Sequence, residues 1–242
     1  MKESTRNALT LSRRDMHKVA RERVHEISRE FTEGFSFLED YPKSVTFFGA
    51  NQFSEDNEHY QDARRLASRV VKDLGYSVLS GGGPGIMEAA NRGAFEAGGN
   101  SLGLLIKLPS EQVINKYITK SFSAYYFFVR KVLLSFSAEA FIFFPGGFGT
   151  LDEFFEILTL VQTRKIQNIP IICVGSEYWN GLKKFMEKDM VGRKTISEGE
   201  LGLFQIVDDH DEIIDIIKKV PVHAGVPFNG VNTDIETAES KW

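Results

Sequence analysis

A loop that contains three glycines joins an apolar run to a helix-like segment beyond the middle of the chain. Residues 145–153 read PGGFGTLDE; they follow the apolar run AFIFF and precede the periodic run FFEILTLVQ. This order predicts a buried strand, a turn and then a helix. Free backbone N–H groups and the positive end of the helix dipole meet at such a junction, and glycine leaves the backbone open to an anion. The loop is therefore predicted to bind a phosphate.

Two side chains of this loop carry further chemistry. The hydroxyl of Thr150 is expected to cap the helix or to bind a ligand, and Glu153 follows three residues later on the same helix face. Asp152 and Glu153 are adjacent, so their side chains point about 100° apart and only one of them is expected to enter the site. A purely structural turn rarely pairs a phosphate loop with a carboxylate about one helical turn away.

The order of apolar strand, glycine and helix recurs along the chain. Strands are predicted at 44–49, 76–80, 101–108, 140–144, 169–175 and near 204–207. Helices are predicted after the second and third glycine loops and at roughly 13–33, 56–74 (stopped by Gly75), 125–137, 177–190 and 209–219. Residues 108–122 are predicted to be irregular. Buried strands that alternate with helices over short connections indicate an α/β fold, a parallel sheet with helices on both faces. Ligands bind such sheets beyond the carboxyl ends of the strands, so the glycine loops at 49, 81–85 and 146–149 are expected to meet in one crevice.

Length and composition indicate one large domain with two flanking segments. The chain has 242 residues, of which 42% are hydrophobic and 26% charged, which is usual for a globular domain with a sizeable core. Residues 1–40 are predicted to form an N-terminal helical extension, residues 41–220 the main domain, and residues 221–242 a peripheral or disordered tail. The 20 phenylalanines are expected mostly in the core, with the surplus at a subunit interface.

Charge and residue counts exclude several classes of protein. The net charge of -4 argues against a basic surface that binds nucleic acid. The single cysteine, Cys173, is expected to be a buried free thiol, and the five scattered histidines do not suggest a metal site. No apolar run reaches the roughly 18 residues of a membrane span, and the charged N-terminus lacks a secretory signal, so we expect a cytoplasmic protein that does not contact membranes.

The second loop, residues 81–85, has four glycines in five positions and reads GGGPG. It lacks the spacing of a dinucleotide fingerprint and the acidic residue that would bind a ribose, and no Gly-Lys-Ser/Thr follows as in a P-loop. It fits a mononucleotide phosphate or ribose better, whereas a plain tight turn would need only one or two glycines. Glu88 follows in the next helix, where it would either contact a ligand or simply complement the helix dipole.

A basic pair, Arg130-Lys131, interrupts the apolar helix YYFFVRKVLLSF. A charge in such surroundings is costly unless it is paired or faces a solvated crevice. The pair could therefore extend its charged ends to water at the surface. Alternatively, Arg130 faces the crevice and meets Glu153 or the substrate, because its planar guanidinium suits a carboxylate or a phosphate.

Three segments together resemble the Lonely Guy (LOG) family of cytokinin riboside 5′-monophosphate phosphoribohydrolases, which have often been labelled lysine decarboxylases. They are GGGPGIMEAA at 81–90, VRK at 129–131 and PGGFGTLDE at 145–153, and the resemblance spans roughly 44–190. It implies a Rossmann-like, doubly wound parallel sheet, a homodimer or larger homo-oligomer, and hydrolysis of a nucleoside 5′-monophosphate to a free base and ribose 5-phosphate. Departures after the first strand and in the GGGPG loop, together with the N-terminal extension, make AMP at least as good a candidate for the substrate as a cytokinin nucleotide.

The resemblance also implies roles for individual residues. Arg130 and Glu153 match the catalytic pair. The matched substrate contacts are Gly49, Asn51, Gly82, Gly83, Gly85, Met87, Lys131, Gly146, Gly147, Phe148, Gly149, Thr150 and Thr159. No cofactor and no metal are implied, and no residue context supports a lysine that would hold pyridoxal phosphate for decarboxylation.

Two other functions fit the same glycine loops. Molybdenum-cofactor carrier proteins are similar in fold and loops, so the chain could carry a nucleotide or that cofactor without catalysis. It could also be a sensor that binds nucleotides and reports through its N-terminal helix. The presence of both Arg130 and Glu153 favours hydrolysis, because a carrier has no need for that pair.

Overall fold

Seven parallel strands form one sheet in the computed structural model, which describes residues 13–107, 113–136, 138–167 and 169–220. The strands are β1 (Ser44–Phe48), β2 (Ser77–Ser80), β3 (Ser101–Ile106), β4 (Lys120–Ala124), β5 (Ala138–Phe143), β6 (Ile171–Cys173) and β7 (Gln205–Ile206). Their spatial order is β4-β3-β2-β1-β5-β6-β7. The predicted parallel α/β sheet is thereby confirmed.

The strand order reverses direction between the two central strands. β1 pairs with β2 on one side, where Ser44 lies opposite Ser77, and with β5 on the other, where Phe48 lies opposite Phe143. The chain moves outward from β1 through β2 to β4, then returns to β5 and continues to the opposite edge. In doubly wound sheets a crevice opens at this point of reversal, beyond the carboxyl ends of the strands.

Helices cover both faces of the sheet among the described residues. They are α1 (Arg13–Glu39), α2 (Glu58–Leu74), α3 (Ile86–Glu96), α4 (Phe127–Phe136), α5 (Phe148–Gln162), α6 (Ser176–Phe185) and α7 (His210–Lys219). One core lies under α1, α4, α5 and α6 and contains Leu133, Phe154 and Trp179. The other lies under α2, α3 and α7 and contains Leu66 and Ile213. The sheet is thus doubly wound, as predicted.

Cys173 at the end of β6 is fully buried and carries a free thiol. Burial raises its pKa well above the ordinary value, because an apolar environment disfavours the thiolate. The prediction of a buried free cysteine is confirmed.

Gly75 ends α2 as predicted. It adopts a left-handed conformation with φ of 66°, which glycine tolerates better than any other residue. At the other end, the side chain of Asn57 caps the helix by accepting the N–H of His59 at 2.9 Å.

α1 is longer than the predicted helix at 13–33 and ends at Glu39. Its second half packs on the main sheet: Phe35 meets Phe136 of α4, with 4.5 Å between ring centroids, and Phe37 stacks near Phe122 of β4 at 6.3 Å. The predicted helix ended too early because its apolar stripe is continued by aromatic residues in a region that is otherwise polar.

The prediction of an irregular stretch over 108–122 is wrong at its end. β4 begins at Lys120 and pairs with β3, where Ile106 lies opposite Ala124. Only the last residue of its sequence, KSFSA, is fully buried. As an edge strand it lacks the apolar run of a central strand. Residues 108–112, and the predictions for residues 1–12 and the tail at 221–242, lie outside the described residues.

The helix predicted at 177–190 is also irregular in its second half. α6 ends at Phe185, and the chain continues as a wider π-helical turn, Met186–Val191. A short 3-10 helix, Glu198–Leu203, then leads into β7. None of these residues lies at the crevice described below.

Candidate active site

A cleft of about 510 Å³ opens at the carboxyl edge of the sheet, between the loops that follow β1, β2 and β5. α4 and α5 supply the rest of its wall. It is lined by Phe48, Gly49, Ala50, Asn51, Gln52, Phe53, Gly81, Met87, Phe127, Arg130, Lys131, Leu134, Gly147, Phe148, Gly149, Thr150, Asp152 and Glu153. The predicted convergence of three glycine loops on one crevice is confirmed.

Backbone hydrogen bonds join the three loops behind the cleft. The N–H of Ala50 donates to the carbonyl of Pro145 at 2.9 Å, and the N–H of Ile86 donates to the carbonyl of Ala50 at 2.9 Å. Gly85 has a φ of 71°, and a Cβ there would overlap the carbonyl of Ala50. Gly85 therefore shapes the junction of the loops, and it does not line the cleft.

The amino end of α5 points at the cleft without a side-chain cap. Gly147 is the N-cap residue, and no side chain accepts a capping hydrogen bond from the first turn of the helix. Thr150 lies inside the first turn, buried, with its hydroxyl beside Gly146. The first of the two roles predicted for Thr150, that of a cap, is therefore wrong, because the helix starts at Phe148. The second role, a hydrogen bond to a ligand, stays a prediction. First-turn N–H groups without a cap favour an anionic ligand.

Glu153 is the more buried of the two carboxylates that line the cleft. Burial raises its pKa to about 7; the positive charges of Lys131 and Arg130 lower it, while Glu156 and Asp152 raise it. Among the described residues no hydrogen bond or ion pair reaches the Glu153 carboxylate. A half-buried carboxyl without a partner, whose pKa lies near neutrality, can accept a proton at physiological pH.

Arg130 lies in the cleft wall and is held by backbone carbonyls. Its Nε donates to Leu104 at 2.8 Å, and one terminal nitrogen donates to Gly81 at 3.4 Å. Burial lowers its pKa from the ordinary value, and the charge of Glu153 opposes that effect. No ion pair joins Arg130 to Glu153 within the described part of the chain, so the guanidinium keeps charge for an anion that enters the cleft.

Lys131 is tied to two carboxylates at the rim. Its Nζ lies 2.8 Å from Asp152 and also pairs with Glu156. Burial opposes its charge, but these two hydrogen bonds hold the pKa of Lys131 above its ordinary value. Asp152 is two-thirds exposed, so Glu153 is the acid deeper in the cleft. Both side chains line the cleft, so the prediction that only one of the two enters it is wrong.

The structure brings most of the predicted site residues to the cleft. Those in its lining are Gly49, Asn51, Met87, Arg130, Lys131, Gly147, Phe148, Gly149, Thr150 and Glu153. Those outside the lining are Gly82, Gly83, Gly85, Gly146 and Thr159. Gly82 packs against Leu105 and Ile118, and exposed Thr159 donates its hydroxyl to Phe155 on another face of α5.

A buried polar network behind the second glycine loop was missed. Asn115 donates its amide to Gly83 at 3.0 Å and to Asn91 at 2.9 Å, while its backbone N–H donates to Gly82 at 3.0 Å. Ser80 donates to Asn91 at 2.6 Å. An asparagine among the alanines of α3 was the available signal, since a buried amide must find partners.

The apolar wall of the cleft was also missed. Phe48, Phe53, Phe127 and Leu134 line it together with Met87, although phenylalanines as a group were expected mainly in the core. A flat apolar surface beside an anion site can receive the ring of a base. The signal was their position, since Phe48 and Phe53 flank the first glycine loop.

Glu88 does not line the cleft. Its carboxylate accepts the hydroxyl of Tyr60 at 3.1 Å. Across the described residues no group of three or more potential ligands is placed to hold a metal ion. None of the helices in that part of the chain is both long and apolar enough to cross a membrane.

The chain resembles known proteins over most of its length. A family model described as "Possible lysine decarboxylase" matches residues 87–217. The probable cytokinin riboside 5′-monophosphate phosphoribohydrolase LOGL3 of Oryza sativa subsp. japonica is 25% identical over 196 residues, which cover 79% of this chain and 90% of the relative. The cytokinin riboside 5′-monophosphate phosphoribohydrolase LOG5 of Arabidopsis thaliana is 27% identical over 206 residues, 84% of each chain.

A solved structure shares the fold. The molybdenum cofactor carrier protein of Chlamydomonas reinhardtii superposes with a TM-score of 0.52 at 21% identity, over 74% of this chain and 97% of that chain. At this identity the likeness concerns the fold alone. The family model, in contrast, covers more than half of the 242 residues, including Arg130, Glu153 and the glycine loop before α5. The chain therefore belongs to the LOG family, whose model carries the lysine decarboxylase description.

Proposed function

We propose that the protein hydrolyses the N-glycosidic bond of a nucleoside 5′-monophosphate to give a free base and ribose 5-phosphate. The observation that carries this proposal is the carboxylate of Glu153, which lies in the cleft without a partner and has a pKa of about 7. The two relatives named above are phosphoribohydrolases by name, and their activity is the one we extend to this chain.

The 5′-phosphate is proposed to bind where the uncapped N–H groups of α5 meet Arg130. Gly147 and Gly149 leave that backbone open, since a Cβ on either would meet no atom within 4 Å. An anion there gains from the helix dipole and from the guanidinium. The sugar then lies near Glu153, one turn along the helix, and the base faces the apolar wall at Phe127 and Met87.

Cleavage passes through a sugar with cationic character at C1′. The ionised carboxylate of Glu153 stabilises that charge and takes a proton from the attacking water. The water oxygen bonds to C1′ as the bond from C1′ to the base nitrogen breaks. The leaving base takes a proton from solvent, and Glu153 afterwards releases its proton to solvent. Because the loops and Arg130 fix the phosphate, the reacting atoms are held in place before the step.

Two bases remain candidates for this cleft. The names of the relatives indicate cytokinin ribosides, whereas the departures in the loops after β1 and β2 make AMP an equal candidate. Both share the phosphate and ribose that the polar part of the cleft would bind. A cytokinin nucleotide would in addition fill more of the apolar wall.

A homodimer is part of the proposal. Phe148, Phe136 and Phe127 are 94%, 65% and 58% exposed, and they belong to α4 and α5 beside the cleft. Exposed apolar rings can mark an interaction surface, and a second copy of the chain is the occupant we propose. A cytoplasmic location stays a prediction.

The deciding experiment incubates the protein with a panel of nucleoside monophosphates and measures ribose 5-phosphate. Glu153→Gln is expected to lower kcat by about 100-fold or more while nucleotide affinity changes by less than about threefold, because general-base action is lost and shape is kept. Glu187→Gln, an exposed carboxylate far from the cleft lining, is the matched control and should retain full activity.

Two results would count against the proposal. Unchanged turnover in Glu153→Gln would remove the role assigned to that residue. Tight nucleotide binding without ribose 5-phosphate from any of the panel would favour a carrier that binds without catalysis.

A further inference from the structure

α1 and α4, far apart in the sequence, meet beside the cleft. α4 carries Arg130 into the wall of the cleft, whereas none of the described residues of α1 lines it. Gly34 of α1 lies so close to Leu133 of α4 that a Cβ would overlap that side chain. The ring of Phe35 contacts Phe136 with 4.5 Å between centroids. The N-terminal helix is thus packed directly against the element that bears the cationic group.

Glu30 is a buried carboxylate at this contact, with 6% of its surface exposed. Its Oε1 accepts the N–H of Tyr125 at 2.7 Å, and its Oε2 accepts the N–H of Tyr126 at 3.2 Å. These two residues directly precede Phe127, where α4 begins. A negative charge is favourable at a helix amino end, and the two N–H groups offset the cost of its burial. Glu30 therefore caps α4 from another helix.

The cap is connected to the site through the backbone of one residue, Tyr126. The carbonyl of Tyr126 accepts the N–H of Arg130 at 3.2 Å, so the residue that Glu30 holds also holds the backbone of Arg130. At its far end the guanidinium is held by the carbonyls of Leu104 and Gly81. Any displacement at the start of α4 would move the guanidinium away from those two acceptors.

We infer that Glu30 is a positioning residue for Arg130: by fixing the first turn of α4, it sets the place of the guanidinium in the cleft. The N-terminal segment then belongs to the site, although it supplies no group to the ligand. The consequence for turnover rests on the proposed function, whereas the place of the guanidinium does not.

The first test follows the Nε–H of Arg130 by NMR in the full chain labelled with ¹⁵N-arginine. Its signal is assigned by its absence in Arg130→Lys. We expect slow hydrogen exchange in the parent, because this group is buried and bonded to Leu104, and exchange about tenfold faster or more in Glu30→Ala, where the cap is lost. Glu22→Ala removes an exposed carboxylate of the same helix and should leave the exchange unchanged.

Glu30→Gln keeps the shape of the side chain and one acceptor, and it serves if Glu30→Ala does not fold. In this variant the Nε–H of Arg130 should exchange faster than in the parent but slower than an unprotected arginine Nε–H. If the Nε–H of Arg130 is as protected in folded Glu30→Ala or Glu30→Gln as in the parent, the inference is wrong.

The second test is a double-mutant cycle on nucleotide affinity, with Glu153→Gln as the background so that AMP is not consumed. Glu30→Ala is expected to weaken AMP binding about 5- to 20-fold when Arg130 is present, and less than about twofold in Arg130→Ala, because the effect passes through that side chain. An equal loss in both backgrounds would show a general scaffold role and would overturn the inference. If AMP does not bind to the background protein, the cycle is measured with a cytokinin riboside monophosphate. If neither nucleotide binds, the proposed function fails, and the exchange of Arg130 alone decides.

Discussion

Glu153 and Asp152 are adjacent carboxylates whose surroundings differ. Asp152 is mostly exposed and paired with Lys131, whereas Glu153 is turned into the cleft and has a pKa raised to about 7, chiefly by burial. The difference follows from the 100° step between neighbours on a helix, which puts one side chain at the rim and the next inside. One turn of sequence therefore supplies an ion pair at the rim and a proton acceptor inside the cleft.

The pH dependence of turnover should report Glu153. Since the ionised form is needed, kcat/KM is expected to rise with pH and to level off above a pKa of about 7. The nucleotide phosphate ionises at about pH 6, so the affinity of Glu153→Gln for AMP over the same range is the control. A profile that falls between pH 6 and 8 would mean that the protonated form acts.

The same residue should make the folded state sensitive to pH. Its folded pKa of about 7 exceeds the ordinary 4.5, so the folded chain binds more protons between those values and its stability falls as pH rises through them. Glu153→Gln removes this loss. At pH 8 the variant is expected to be more stable than the parent by at most about 3 kcal/mol, and at pH 4 the two should agree within about 0.5 kcal/mol. Urea unfolding at both pH values measures the difference; equal stability at pH 8 would contradict the raised pKa.

At the scale of elements, the shape of the cleft depends on hydrogen bonds between three loops and not on any single loop. Ala50 is at their centre, since its N–H donates to Pro145 and its carbonyl accepts from Ile86. Gly85 lets the second loop pass this carbonyl closely. Asn115 holds the same loop from behind through Gly83. The shape of the proposed phosphate site therefore depends on how the three loops meet.

Gly85→Ala should be much more damaging than Gly98→Ala. Both glycines have a positive φ, 71° and 75°, so each alanine would be strained, by about 1 kcal/mol where the residue is left-handed. Gly85 also has a ψ of −131°, a combination that only glycine adopts readily, so its alanine is the more strained of the two. Only at position 85 would the Cβ also overlap a backbone group, whereas at 98 it meets nothing within 4 Å. We expect a loss of unfolding free energy of about 3 kcal/mol or more for Gly85→Ala and about 1 kcal/mol for Gly98→Ala. Similar losses for the two would contradict the close contact of the loops.

At the scale of the whole molecule, α1 and the sheet share one core. Phe31 and Phe35 of α1 pack against the cluster that contains Leu133 and Phe154. Side chains in such contact lose much of their packing if either part unfolds alone. The division at residue 40 between an extension and a main domain stays a prediction, and the packing in this region is continuous.

Phe35→Ala should therefore destabilise the entire chain. We expect a loss of about 2 kcal/mol, since the ring is half-buried and leaves a cavity against Phe136. Val24→Ala, at a residue 65% exposed on the same helix, should cost less than about 0.5 kcal/mol. Urea unfolding followed by helix and by tryptophan signals should give one shared transition; two separate transitions would show that α1 folds independently.

Much of this arrangement could be predicted from the sequence because central parallel strands are apolar throughout. β1, β3 and β5 were recognisable for that reason, and the glycines marked where each loop leaves the sheet. β4 was not recognisable, since an edge strand with the sequence KSFSA has no such run. The partners of Arg130 were not predictable either, because backbone carbonyls have no side-chain signal. Glu30 was hidden by distance, as it lies 95 residues from Tyr125.

The fully buried thiol of Cys173 offers an intrinsic reporter. Its sequence position is unique, as the chain has one cysteine, and it is enclosed between β5 and β7 in the middle of one half of the sheet. A maleimide or disulfide reagent can reach the sulfur only when that half of the sheet opens. The rate of chemical labelling therefore measures how often the folded protein opens locally. The unmodified protein thereby carries a chemical probe of its own local opening.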